Sequence, residues 1–154
     1  MLNKYNRLLD ILKSVDLKKI NNNEINYFKN KKILITGVSG IIGINLLFFF
    51  DALNNKKKTK TVIDGTFNTS IFPFVKKYFK KNKLINFKQI DLSQKILNTK
   101  KKYDLIFHCA GYGQPSKFLK FSNATFKLNS STIMTLEKNL KKNGKFLYMS
   151  STEI

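Results

Sequence analysis

Three glycines stand three residues apart in the stretch TGVSGIIG, at positions 37, 40 and 43. An apolar run at 33–36 precedes them and a longer one at 41–50 follows, so the glycines are predicted to join a strand to a helix. In a dinucleotide-binding turn, Gly37 would allow the tight bend, Gly40 would let the backbone approach a pyrophosphate, and Gly43 would let the helix pack closely. The N-terminus of the helix adds N–H groups and a positive dipole end. A glycine-rich turn without a ligand is the alternative.

Two acidic residues follow later apolar runs. Asp64 ends the run TVID, 21 positions after Gly43, and an acid at that distance binds the ribose 2′-hydroxyl in dinucleotide folds. No basic residue follows until Lys76, which favours NAD over NADP. The alternative for Asp64 is an Asp-Gly turn with Gly65. Asp91 ends a third run, where it either hydrogen-bonds the adenine amino group or N-caps a following helix.

The elements that must position these residues alternate along the chain. This alternation predicts an α/β fold of the Rossmann type, in which a doubly wound parallel sheet forms the middle of three αβα layers. The predicted sheet has five strands and is incomplete. Apolar strands of this kind are covered on both faces. The predicted strands are 33–36, 61–64, 85–90, 104–110 and 145–150. The predicted helices are 41–53, 71–81, a short one after Asp91, and 124–142, which ends at Asn143-Gly144.

The chain divides into two predicted parts. Residues 1–30 form an N-terminal extension with a helix at 4–14 and a polar linker at 21–26, and residues 31–154 form the nucleotide-binding domain. The first helix of that domain is expected to bury five apolar residues against the sheet: Ile41, Ile42, Leu46, Leu47 and Phe50.

The formal charge of +20 invites a nucleic-acid interpretation, but 28 of the 29 basic residues are lysines scattered along the chain. Nucleic-acid surfaces use arginine and interleave aromatic residues, so polyanion binding is the weaker hypothesis. The longest apolar run is about half of a membrane span, and no signal peptide is recognised, so a cytoplasmic protein is expected. Cys109 and His108 lie in an apolar strand and are predicted to be a buried thiol and a core histidine. No metal site is predicted.

Several motifs together resemble the short-chain dehydrogenase/reductases. TGVSGIIG has their Thr-Gly-x-x-Gly-x-x-Gly spacing, and Asp64, IDL (90–92), FHCAG (107–111) and YMSSTEI (148–154) fall at landmarks of the extended branch, the NAD-dependent epimerase/dehydratase family. The segment 110–129 is most similar to UDP-glucuronate decarboxylases, followed by dTDP-glucose dehydratases. The resemblance covers residues 31–154.

The resemblance implies a role for each matching residue. Gly37, Gly40, Ile41 and Ile42 would line the pyrophosphate, Asp64 would hold the ribose, and Asp91 and Leu92 would lie beside adenine. Ala110, Gly111 and Tyr112 would pass under the centre of the cofactor, and Ser150 would lie beside the nicotinamide. Ser151 matches the catalytic serine or threonine, and Glu153 matches an acid used in later steps. The implied reaction is hydride transfer from the C4 hydroxyl of a nucleotide sugar to NAD, in an enzyme that often forms homodimers.

The catalytic base of this family is the tyrosine of a Tyr-x-x-x-Lys motif that follows the fifth strand. In the 154 residues that spacing is met by Tyr27 and Lys31, which precede the glycine turn and cannot take the motif's place. We therefore expect these residues to be the cofactor-binding part of a larger enzyme, inactive alone. A non-catalytic dinucleotide-binding or sensor module is the alternative.

Overall fold

A computed structural model describes residues 2–150 of the chain, which contain five parallel strands in one sheet. Their order is β3-β2-β1-β4-β5, so the chain reverses its direction of winding at β1. The α/β doubly wound prediction is confirmed, and the carboxyl ends of β1 and β4 flank the crevice in which such sheets bind ligands. The strands are β1 (Lys32–Thr36), β2 (Val62–Phe67), β3 (Ile85–Gln89), β4 (Tyr103–His108) and β5 (Leu140–Tyr148).

Helices cover both faces of the sheet. Two core clusters lie between the layers, because successive β1 residues point to opposite faces: Ile33 and Ile35 belong to one cluster and Leu34 to the other. No helix within residues 2–150 is both long and apolar enough to cross a membrane. The helices are α1 (Leu2–Lys13), α2 (Asn22–Phe28), α3 (Ile41–Lys57), α4 (Pro73–Phe79), α5 (Pro115–Lys120), α6 (Ser122–Asn129) and α7 (Ser131–Glu137).

The N-terminal extension is helical over a longer span than predicted. The polar stretch at 21–26 is not a linker but the start of α2, because Asn21 and Glu24 form a reciprocal capping box. Leu12, Leu17 and Ile25 are buried in the same core cluster as α3 and α4. Residues 6–28 are therefore part of the packed structure.

The region before β5 also departs from the prediction. The single helix expected at 124–142 is broken at Ser130 into α6 and α7, and β5 begins at Leu140. Asn143-Gly144 therefore lies inside a strand, beside a register shift in the pairing of β4 with β5. A Cβ on Gly144 would lie 2.9 Å from the carbonyl oxygen of Tyr103, so the glycine permits a close strand approach rather than ending a helix.

Burial along α3 only partly follows the prediction. Leu47 and Phe50 are buried and Leu46 is half-buried, but Ile41 and Ile42 are 81% and 47% exposed. Both isoleucines occupy the first turn of α3, at the carboxyl edge of the sheet, where the sheet no longer lies beneath them. They stand beside the glycine turn and not in the core.

Candidate functional site

The glycine turn between β1 and α3 leaves no room for side chains at its first and third glycines. Gly37 has a φ of +69°, and a Cβ there would lie 2.7 Å from the carbonyl oxygen of Cys109. A Cβ on Gly43 would overlap the carbonyl oxygen of Gly37 and lie 2.8 Å from the Cα of Val38. Gly37 thus supplies the left-handed turn, and Gly43 allows α3 to pack on that turn.

Gly40 differs from the other two because open space lies in front of it. A Cβ there would meet one described atom within 4 Å, the carbonyl oxygen of Gly37 at 3.3 Å. Gly40 is the N-cap of α3, and its N–H donates to that same oxygen at 2.9 Å. A larger side chain would fill the space before the N-terminus of the 17-residue helix. The turn is therefore a backbone-lined cradle suited to an anionic group.

The cradle forms one wall of a groove of about 220 Å³ at the carboxyl ends of β1, β2 and β4. The groove brings together most of the residues predicted to contact a cofactor, from segments far apart in sequence. Its lining comprises Gly37, Ser39, Gly40, Thr66, Phe67, Asn68, Ile90, Asp91, Leu92, Cys109, Ala110, Gly111, Tyr112 and Leu128. The ring of Tyr112 stacks on the ring of Phe121, with the two centroids 5.2 Å apart, and this contact holds the tyrosine in place.

A buried polar network supports the floor of the groove. The Thr36 hydroxyl donates to Nδ1 of His108 at 2.7 Å and accepts the N–H groups of Cys109 and Ala110, both at 3.2 Å. The other ring nitrogen of His108 donates to the carbonyl oxygen of Leu128 at 2.9 Å. A carbonyl oxygen only accepts, so Nε2 carries a proton. The two lone pairs of the Thr36 oxygen already accept N–H groups, so its hydroxyl donates to an unprotonated Nδ1 and the imidazole is neutral.

The prediction for His108 agrees with this network, whereas Cys109 is half-buried rather than buried. His108 is 1% exposed and fully bonded, so the prediction of a core histidine is confirmed. Burial lowers the pKa of His108 and raises the pKa of the half-buried Cys109 thiol to about 11. The Cys109 thiol is therefore protonated at neutral pH, and both ring nitrogens of His108 are engaged in hydrogen bonds, so neither group is suited to act as a nucleophile. Sequence reasoning missed Thr36, although a threonine directly before the first glycine was a usable signal.

The placement of Asp64 corrects the sequence prediction. Asp64 lies within β2, opposite Leu34, and the strand continues through Gly65 to Phe67. It therefore neither ends the strand nor forms an Asp-Gly turn. Its carboxylate accepts hydrogen bonds from Tyr103 Oη at 2.8 Å, Lys101 Nζ at 2.8 Å and Asn86 Nδ2 at 3.0 Å. These groups lie in a second cavity, which adjoins the groove at Thr66.

Asp91 lines the groove, and no helix follows it. Its Oδ1 accepts the N–H of Ser93 at 2.9 Å and the Ser93 hydroxyl at 2.7 Å, and residues 92–94 form a turn. The helix that it was expected to N-cap is therefore absent from the described structure. The contact with adenine stays a prediction.

The remaining predicted residues lie at or beyond the edge of the described structure. Ser150 is exposed and lies two residues beyond the end of β5, while Ser151 and Glu153 fall outside the described residues. Tyr27 lies on α2, where its ring faces Lys31 Nζ at 5.4 Å and lines a separate surface depression with Phe49. Tyr27 and Lys31 thus lie away from the groove. In residues 2–150, no three His, Cys, Asp or Glu side chains are grouped to hold a metal ion.

Comparison with known proteins gives one family match. The model of the NAD-dependent epimerase/dehydratase family matches residues 33–154, a range that includes the glycine turn and every described residue of the groove. A search of curated protein sequences gives no match.

Solved structures share the fold at low sequence identity. Pen from Bacillus thuringiensis is 21% identical with a TM-score of 0.59, over 80% of this chain and 39% of that one. A putative short-chain alcohol dehydrogenase from Burkholderia multivorans is 15% identical with a TM-score of 0.51, over 79% and 63%. A putative ribosomal RNA methyltransferase from Plasmodium falciparum is 18% identical with a TM-score of 0.54, over 88% and 76%. These likenesses support the fold alone, and the chain spans well under half of Pen.

Proposed function

Since this chain belongs to the NAD-dependent epimerase/dehydratase family, we propose that its groove binds a nicotinamide dinucleotide. We further propose that residues 31–154 are the cofactor-binding part of an enzyme that oxidises the C4 hydroxyl of a nucleotide sugar. The observation that carries the first proposal is the open, backbone-lined cradle at Gly40, which faces the groove and which a side chain would fill.

The groove offers suitable groups for the pyrophosphate, the adenine and the centre of a dinucleotide. Gly37 and Gly40, with the first turn of α3, would receive the pyrophosphate. Asp91 and Leu92 would lie beside adenine. The backbone of Gly111 and of Ala110, whose N–H donates to the Thr36 hydroxyl, would support the centre of the cofactor. When bound, the dinucleotide supplies the hydride acceptor, and the protein binds and orients it.

The substrate and the later chemistry rest on the sequence resemblance. Ser151 is proposed to hydrogen-bond the sugar hydroxyl that is oxidised, and Glu153 to act in a subsequent dehydration or decarboxylation. A nucleotide sugar is the proposed substrate and a homodimer the proposed assembly, with a cytoplasmic location. The step that follows oxidation is an epimerisation, a dehydration or a decarboxylation, and residues 110–129 are most similar to UDP-glucuronate decarboxylases.

A second candidate is a non-catalytic dinucleotide-binding module. Catalysis in this family needs a tyrosine near the nicotinamide, but the Tyr-x-x-x-Lys spacing of this sequence falls on Tyr27, away from the groove. Tyr112 does line the groove, but Ser116 stands four residues after it. Both candidate functions require dinucleotide binding. Only the enzyme would also convert a nucleotide sugar, so an assay of turnover separates the two.

Replacement of Gly40 tests the cofactor site. We expect Gly40→Leu to abolish binding of NAD and of NADP, measured by isothermal titration calorimetry, because the side chain occupies the cradle. The fold should be kept, because a Cβ 3.3 Å from Gly37 O requires the turn to shift by only a few tenths of an ångström and the loss of a glycine N-cap costs about 1 kcal/mol. Gly113→Leu is the matched control, because open space surrounds that glycine. Unchanged affinity in Gly40→Leu would reject this placement of the cofactor.

Turnover tests the catalytic part of the proposal. The longest chain encoded by the reading frame should convert a nucleotide sugar in the presence of dinucleotide, as followed by chromatography of the sugar products. Ser151→Ala should lower kcat by about 10²- to 10³-fold, the usual cost of removing a hydrogen-bond donor from a reacting oxygen, whereas Ser131→Ala should not. Dinucleotide binding without conversion of any nucleotide sugar would favour the non-catalytic module.

A further inference from the structure

The end of β2 nearest the glycine turn carries no acidic residue. Thr66 lies opposite Thr36, which directly precedes Gly37, and the N–H of Val38 donates to the carbonyl oxygen of Thr66 at 2.9 Å. The strand then ends at Phe67, and Asn68 is the first exposed residue beyond it. Asn68 therefore occupies the place at which an acid would contact the ribose 2′-hydroxyl.

The carboxylate of β2, that of Asp64, is bonded to side chains outside the groove. The Asp64 side chain is 15% exposed and is bonded to Lys101, Tyr103 and Asn86 in the second cavity, which measures about 390 Å³. Reaching the groove would break an ion pair and two further hydrogen bonds. The Asp64 carboxylate is thus engaged by these three side chains and is not offered to a 2′-hydroxyl.

Asn68 does not repel a phosphate group, as an aspartate at the same position would. Its amide is neutral and can donate to a phosphate oxygen or to a hydroxyl oxygen. The next two residues, Thr69 and Ser70, are exposed and carry hydroxyl groups, which also donate. The polar side chains that follow β2 are therefore donors without negative charge.

Two lysines lie next to Asn68. The groove continues past Asn68, Ile90 and Asp91 into an open depression of about 580 Å³ that is also lined by Lys88 and Lys95. Lys88 Nζ makes a long contact of 3.4 Å to the carbonyl oxygen of Asn98. The opposing carboxylate, Asp91, already accepts two hydrogen bonds from Ser93. The two lysines therefore outweigh the one carboxylate beside the ribose position.

We propose that the groove binds a dinucleotide bearing a 2′-phosphate, such as NADP, at least as tightly as one with a free 2′-hydroxyl. Asn68, Lys88 and Lys95 are its specificity-determining residues. This inference rests on the proposed dinucleotide site and reverses the NAD preference that the sequence position of Asp64 suggests.

Calorimetric titration of the 154-residue chain with NADP and with NAD tests the inference. The dissociation constant for NADP should be equal to or lower than that for NAD. Asn68→Asp should weaken NADP binding about tenfold or more and spare NAD, because it puts a carboxylate beside the phosphate. The double change Lys88→Ala and Lys95→Ala should also weaken NADP selectively. Lys80→Ala with Lys81→Ala is the matched control for charge, and Asp64→Asn should leave the ratio unchanged.

The outcomes separate this inference from the proposed function. Tighter binding of NAD than of NADP by the unaltered chain overturns the inference and leaves the dinucleotide site intact. An NAD/NADP ratio that Asn68→Asp does not change, in a variant with unaltered circular dichroism, overturns the assignment of Asn68. Failure of both dinucleotides to bind overturns the proposed function and the inference with it.

Discussion

His108 links two segments of the groove floor through its two ring nitrogens. One nitrogen accepts from Thr36 at the end of β1, and the other donates to Leu128 on α6. The arrangement requires a neutral ring, because Nδ1 is an acceptor. A protonated imidazole would lose the bond from Thr36 and would leave a charge in the core, which is costly.

The stability of the fold should therefore fall as His108 becomes charged. Burial lowers the pKa of His108 in the folded state, so the unfolded chain takes up the proton first. The contribution of neutral His108 to the free energy of unfolding is complete above the pKa of about 6.5 that histidine has in the unfolded chain. It is lost as the pH drops below that value, and the free energy of unfolding then falls by at most about 1.4 kcal/mol per pH unit. Urea unfolding at several pH values between about 7.5 and 5 measures this loss of stability. Ordinary carboxylates titrate mainly below that pH range.

His108 is the sole histidine, so its NMR titration can be read without assignment. Its pKa in the folded chain should lie below that of the urea-unfolded chain. A folded pKa equal to or above the unfolded one would contradict the neutral network. His108→Gln, if it folds, should show a flatter stability profile over the same pH range.

At the scale of elements, the N-terminal extension is part of the core. Leu12 of α1 is 5% exposed and packs in the cluster formed by α3 and α4, and Lys56 of α3 donates to the carbonyl oxygen of Val15 at 3.0 Å. Lys13 Nζ also lies 4.9 Å from the ring centroid of Tyr78 on α4. The helix covers apolar surface that α3 and α4 would otherwise expose to water.

Neighbouring residues of α1 provide a matched test of this packing. Leu12→Ala should lower the free energy of unfolding by about 2–5 kcal/mol, the usual range for a buried leucine. Ile11 is 61% exposed, so Ile11→Ala should change it by about 0.5 kcal/mol or less. Urea denaturation of both variants gives the comparison. Equal effects would show that α1 does not pack on the domain in solution.

Over the whole molecule, positive charge exceeds negative by 20. The described ion pairs of Asp104 and Asp64 involve Lys31, Lys141 and Lys101, whose side chains are 32–55% exposed. Such surface pairs contribute little to stability. Repulsion among the unpaired lysines therefore dominates the electrostatic energy of the compact state.

Added salt should accordingly stabilise the protein. The Tm should rise when NaCl is increased from about 10 to 200 mM, because the screening length falls to below about 10 Å. Lys83→Glu with Lys142→Glu lowers the net charge from +20 to +16, since each change removes one positive and adds one negative charge. That variant should show a smaller rise. A Tm that does not rise with salt would contradict the dominance of repulsion.

The parts of the fold that sequence predicted well are those set by local patterns. Apolar runs located all five strands, and the glycine spacing located the turn before α3. The break at Ser130, the helix at 22–28 and the early start of β5 were missed, because pairing with β4 and a capping box outweigh simple periodicity there. In the candidate site, Gly37, Gly40 and residues 91–92 and 110–112 lie along one groove, and their contact with a cofactor stays a prediction.

The sequence by itself determined the strand–turn–helix at Gly37, Gly40 and Gly43, since glycine geometry and apolar periodicity act over a few residues. Only the tertiary structure decided the position of Asp64. Spacing from the glycines placed it at the end of a strand, but α3 runs on to Lys57 and β2 begins at Val62, which puts Asp64 opposite Leu34. A register shift changes both the height of a residue along the sheet and the face to which it points. Pairing between strands, which spacing does not reveal, therefore left Asn68 beside the groove and Asp64 in another cavity.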